Sequence, residues 1–218
     1  MTSQIKLAGF WSGIFLAILG VAYLGFVAAM LAGGSGFPPV EPYQKMINLL
    51  VLITAVAMVI FWTVLHQAAP DNRKLFSRTS LGMILIFATL TSINRYVGLT
   101  VVRQSLASGN LSGLQWFMPY RWPSVMLALE FLAWGFFFGL ACLLLAPVFT
   151  TGKLEQAISW TLVGTGVLSL LAALGQVAGV AALSFSPFTF AGVMAWGPGL
   201  TALAVLIAIW FRQAKGNG

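Results

Sequence analysis

Residues 81–102 read LGMILIFATLTSINRYVGLTVV, an apolar run broken by a single charge, Arg95. A helix crossing about 30 Å of hydrocarbon needs about 20 such residues, so the run is long enough to span a bilayer. Lipid leaves no water for unpaired backbone groups, and an apolar run of this length therefore satisfies itself as a helix. The arginine is the informative exception. A charge at bilayer depth costs roughly 2.5–3.5 kcal/mol even on lenient scales, which demands a partner, a wet cavity or a function.

Five more runs of spanning length occur at Leu7–Leu31, Ile47–His66, Pro123–Val148, Ala157–Leu183 and Thr189–Phe211. The sequence therefore predicts an all-α membrane protein, a six-helix bundle forming one polytopic domain over residues 1–218. Composition agrees: 60% of the 218 residues are hydrophobic and 7% charged, against roughly 25% charged in soluble domains. The first run exceeds the roughly 7–15 apolar residues of a secretory signal and reads as a retained helix. The connections, Gly33–Met46 with Pro38, Pro39 and Pro42, polar Gln67–Ser80, Arg103–Trp122, Thr150–Gln156 and a turn at Pro187, are too short for a soluble domain.

The net charge of +7 is spread over these connections instead of forming the stripe that nucleic acid requires, so no nucleic-acid partner is expected. It encodes orientation. Lys6, Arg73, Lys74, Arg78, Lys153, Arg212 and Lys215 fall on one side, and Lys45, Arg103 and Arg121 on the other; with Arg95 these are all 11 basic residues. The positive-inside rule then places both termini in the cytoplasm. Leu114–Trp122, rich in aromatics, is expected to lie at the outer headgroup level.

Glu130 is the second ionisable residue inside an apolar run. Arg95 lies seven residues before Val102 and Glu130 seven after Pro123, so at 1.5 Å per residue both sit about 10 Å below the outer surface. They lie on consecutive antiparallel helices, which makes an ion pair geometrically easy. The same count brings Thr54, Gln176 and Trp196 near that level, with Asn94 beside the arginine and Tyr23 level or slightly deeper. Two readings stand. The layer is structural glue, with Arg95 satisfied by Glu130, Gln176 and hydroxyls; or it is a polar pocket for an amphiphile headgroup or small anion, walled by Trp134, Phe137 and Trp196.

Other patterns are weaker. Thr161, Thr165, Ser169 and Gln176 share one face of the fifth helix and should turn inward. Gly197-Pro198-Gly199 reads as a proline kink in the sixth, with a discontinuous transporter-type helix as the alternative. Gly9, Gly13 and Ala17, Gly135 and Gly139, and Gly175 and Gly179 permit close helix packing within the bundle. The triplets Ala133-Trp134-Gly135 and Ala195-Trp196-Gly197 both lie in the second half and do not make an internal repeat.

Cofactor and metal chemistry are not expected. The chain has one histidine, His66, and one cysteine, Cys142, so neither bis-histidine haem, a His-rich zinc site nor a disulfide can be built. Glu41, Asp71 and Glu155 lie in connections and leave Glu130 without a second intramembrane carboxylate. No nucleophile elbow, Walker loop or His-Glu-x-x-His occurs, which leans the reading away from an enzyme. Asn110-Leu111-Ser112 matches a glycosylation sequon that matters only in a eukaryotic secretory pathway.

Over residues 94–155, Leu99-Thr100-Val101-Val102-Arg103-Gln104-Ser105-Leu106, Ala128-Leu129-Glu130, Ala146-Pro147-Val148-Phe149 and Leu154-Glu155 resemble a group of bacterial six-span integral membrane proteins of unknown function. Those proteins carry proline where this chain has Gln104, and Glu130 belongs to their pattern more clearly than Arg95 does. The resemblance implies a bacterial plasma (inner) membrane and no particular activity. The function expected is non-enzymatic binding of a lipid-like or small amphiphilic ligand, or of a partner protein, through the outer-half polar layer. A small transporter or channel is the alternative, and an accessory subunit of a larger membrane complex the next. Expected partners are membrane lipids, a small amphiphile, and a second copy of the chain or a larger complex.

Overall fold

The computed structural model describes residues 1–34, 41–118, 123–179 and 186–214. Six helices are long and apolar enough to cross a membrane: α1 Ser3–Ala32, α2 Tyr43–Ala68, α3 Asp71–Ser108, α4 Val125–Val148, α5 Gly152–Val177 and α6 Pro187–Gln213. Each packs on its neighbour in sequence, and α1 closes the ring against α6. The start of α1 and the end of α6 lie at one end of the bundle, where a Cβ on Gly9 would meet the Phe211 ring.

What turns inward is decided by size more than by hydrophobicity, because lipid tails are as apolar as a leucine core. On α1 the outward stripe is Leu7, Trp11, Phe15 and Ile18, all exposed, while Gly9, Gly13 and Ala17 are buried. A Cβ on Gly13 would lie 3.0 Å from that of Ala208, and one on Gly135 would lie 2.7 Å from that of Ala173. A Cβ on Gly139 would lie 3.1 Å from the Gly166 carbonyl oxygen. These small residues face helices of the same chain, as expected; Gly179 instead ends α5 in the left-handed region, at φ +74°.

The helix ends differ from those expected, and local capping explains why. Hydropathy ended the third helix at Val102 because Arg103 is charged; charge limits membrane depth but does not break a helix. The backbone continues to Ser108 and stops at Gly109, whose φ of +71° is the left-handed turn glycine accepts. The same helix begins within the Gln67–Ser80 stretch, with Lys74 donating to the last carbonyls of α2, His66 at 3.0 Å and Gln67 at 3.3 Å. The fifth helix starts at Gly152, not Ala157, because Glu155 reaches back to the N–H groups of Thr150 (3.1 Å) and Thr151 (2.8 Å). It ends at Val177; the expected continuation through 180–183 lies outside the described residues. So do Pro38, Pro39, the aromatic stretch 119–122 with Arg121, and Lys215.

Polar bonds between helices set their register. The Trp62 indole donates to Ser80 at 2.9 Å, and the Ser80 hydroxyl donates to the Ala141 carbonyl at 2.6 Å, linking α2, α3 and α4. Ser124 caps α4 through the Met126 N–H (3.1 Å) and donates to the Trp116 carbonyl (3.2 Å), holding the Leu114–Trp116 turn against the bundle end. Trp116 and Phe117 are exposed there. Cys142 is buried among core aliphatics and aromatics.

A buried polar chamber between five helices

Arg95 and Glu130 form a buried ion pair between α3 and α4, with Arg95 only 2% exposed. Asn94 donates to the other Glu130 oxygen at 2.7 Å and to the Met126 carbonyl at 3.1 Å. Arg95 also donates to the Asn48 side chain of α2 at 3.3 Å. Both carboxylate oxygens are therefore bonded, as a charge in low dielectric requires.

Beside this network lies a partly open chamber of about 40 Å³. Tyr23 and Gly20 of α1, Thr54 of α2, Arg95 of α3, Glu130 and Trp134 of α4, and Trp196 of α6 line it, with Leu19, Val51 and Leu200. Of the eight residues singled out from sequence, six share this wall and Asn94 stands behind it, bonded to Glu130. Thr54 donates to its own helix at Leu50, 2.8 Å.

Gln176 is the exception and corrects the expected layer. It is the penultimate residue of α5, it does not line the chamber, and its buried Oε1 has no hydrogen-bond partner among the described residues. The physical reason is the outer end of α5: the depth count takes it at Leu183, seven residues beyond Gln176, whereas the helix ends at Val177, one residue beyond. The role expected of Gln176 in satisfying Arg95 falls instead to Asn48, which sequence reasoning missed. Its signal was present: a lone amide in the run Met46–Ile53. The missing Cβ of Gly98 makes room, since one placed there would approach the Asn48 amide nitrogen at 3.0 Å.

The inward stripe of α5 is partial. Thr165 and Ser169 are buried, and Ser169 accepts the Trp196 indole N–H at 3.1 Å. Thr161 is only half-buried and bonds its own helix at Ala157, 2.8 Å. Phe137 is half-buried and is not part of the chamber wall.

Three π-helical segments surround the site: Gly98–Val102 just after Arg95, Phe131–Phe137 just after Glu130, and Ala195–Gly199 with Pro198 inside it. Such widened turns concentrate at functional sites. The two Ala-Trp-Gly triplets fall in the second and third of them, and their indoles meet in the chamber wall with ring centroids 6.2 Å apart. Phe87 packs edge-on against Trp134 at 4.7 Å and Phe131 against Trp196 at 5.6 Å. The Trp134 ring is thus held fast, yet among the described residues its buried indole N–H has no hydrogen-bond partner.

Among the described residues no three His, Cys, Asp or Glu side chains come together as a metal site would need. No protein-family model, curated protein or solved structure matches the chain. The functional reading therefore stands on the chamber's geometry.

Proposed function

We propose that this is a non-enzymatic multi-pass protein of a bacterial plasma membrane, with both termini in the cytoplasm, that binds a lipid-like or small amphiphilic molecule in the chamber. The observation that carries the reading is the Trp134 indole N–H, buried without a partner in a residue of the chamber wall. A buried donor left unpaired costs roughly 1–3 kcal/mol, a cost that a bound acceptor removes. Arg95 and Glu130 neutralise one another, so the occupant suited to the chamber is a dipolar acceptor such as a hydroxyl, ester or amide oxygen. At about 40 Å³ the chamber admits a group of roughly water size. Only the polar tip of an amphiphile enters it, and the apolar remainder extends past Leu19, Val51 and Leu200.

Native mass spectrometry of the protein from a mild detergent tests this. The wild type should carry a small-molecule adduct that Trp134→Phe loses, because that change keeps the ring and removes the donor. A wild type free of any adduct, or a Trp134→Phe variant that keeps it, rejects the reading. A small transporter is the second reading, favoured by the three π-helical segments and by Pro198 within α6, which loosen the backbone where the helices meet. Tracer flux in proteoliposomes distinguishes it from simple binding.

A further inference from the structure

We propose that the end of the bundle where α1 begins and α6 ends holds a second, independent site, for a phospholipid with a zwitterionic headgroup whose ammonium has N–H donors. A cavity of about 330 Å³ opens there between the last turns of α2, α4 and α6 and the first turns of α3 and α5. That volume falls within the roughly 300–1,000 Å³ of small-molecule sites. Its floor is apolar, with Leu65, Phe149 and Trp210, and its rim carries Arg73, Thr151 and Glu155.

The two rim charges are fixed differently. Glu155 is held by four donors: Oε2 accepts from the N–H groups of Thr150 (3.1 Å) and Thr151 (2.8 Å) and from the Thr151 hydroxyl (2.8 Å), while Oε1 accepts from the Trp210 indole at 3.0 Å. A carboxylate offers about four lone-pair sites, two on each oxygen, so one at Oε1 stays open. Arg73 is half-buried, and among the described residues it has no ion pair, with Glu155 or any other acid. The cavity thus presents one cation and one carboxylate that do not neutralise each other, above an apolar floor.

A lone anion would suit Arg73 and be repelled by Glu155; a lone cation meets the reverse. A phosphate and an ammonium joined through a short linker match both. The open Oε1 site calls for an N–H donor, which a primary ammonium has and a quaternary one lacks. The apolar floor takes the start of an acyl chain, which distinguishes a lipid from free phosphoethanolamine. The basic residues Lys74, Arg78, Lys153 and Arg212 belong to the same end of the bundle and draw phosphate there.

The test uses the full chain in nanodiscs holding equal parts phosphatidylethanolamine, phosphatidylcholine and phosphatidylglycerol with identical acyl chains, released into a native mass spectrometer. One phosphatidylethanolamine should be retained about fivefold over each of the others, the scale of one partly screened ion pair. Arg73→Gln should lower retention of all three lipids, since each carries the phosphate, and Arg73→Lys should keep it. Glu155→Gln should abolish the preference for phosphatidylethanolamine and shift retention toward phosphatidylglycerol. Trp134→Phe should leave it unchanged, which separates this site from the chamber. Equal retention of the three lipids, a preference that survives Glu155→Gln in a variant with unchanged melting temperature, or displacement of the lipid by millimolar free phosphoethanolamine would each overturn the proposal.

Discussion

The guanidinium of Arg95 donates to one carboxylate oxygen of Glu130, while the amide of its chain neighbour Asn94 donates to the other at 2.7 Å. Consecutive residues of α3 thus clamp a single acid of α4 from both sides. The clamp is closed from α2 by Asn48, which accepts from Arg95 at 3.3 Å. Removing one partner of a buried pair strands the other charge and typically costs about 3–5 kcal/mol, whereas removing both need not.

Arg95→Ala and Glu130→Ala should therefore each lower the melting temperature in detergent, and the double variant should recover much of the loss. Additive losses around the cycle would show that the two side chains are not coupled. Glu130→Gln should fall between, since it keeps an acceptor for Asn94 and loses the charge that answers Arg95.

The glycines make a paired prediction. A Cβ at Gly135 meets Ala173 at 2.7 Å, whereas one at Gly82 meets nothing within 4 Å. Gly135→Ala should cost about 1–3 kcal/mol by overpacking the contact between α4 and α5. Gly82→Ala should be neutral or stabilising by up to about 1 kcal/mol, because alanine is the better helix former. Thermal unfolding of the two variants side by side checks the contrast; equal shifts would mean that α4 and α5 do not approach as closely as described.

Orientation is open to direct measurement. Reporter fusions at Pro70 and at the C-terminal Gly218 should both read cytoplasm, and a fusion at Ser108 the opposite side. A cytoplasmic reading at Ser108 would refute the orientation taken from the charge split, and an outside reading at Gly218 would contradict six crossings.

Much of the candidate site was legible because depth along a helix is a matter of counting. Arg95 and Glu130 are each seven residues from a predicted end on adjacent antiparallel helices, and they do meet. The count failed for Gln176 because it runs from the outer end of the helix, and α5 ends at Val177, just before the left-handed Gly179, instead of at Leu183. Hydropathy cannot see a cap. Asn48 escaped because the expected second helix begins at Ile47, which puts this amide at its outer end, whereas α2 begins at Tyr43 and carries it inside.

The sequence by itself determined that the chain forms six spanning helices, since apolar length against bilayer thickness is a sum over consecutive residues that no tertiary contact alters. It also determined that Arg95 and Glu130 must be answered, because an uncompensated charge in hydrocarbon is costly wherever it points. Only the tertiary structure decided which faces turn inward. In lipid both faces of α1 are apolar, and the choice of Gly9, Gly13 and Ala17 over Leu7, Trp11 and Phe15 follows from close packing against α6. The sequence groups Trp134 with Trp196, but only the fold sets their rings 6.2 Å apart, and it alone left the Trp134 indole N–H without an acceptor among the described residues, since satisfaction of a donor depends on every helix that could have supplied one.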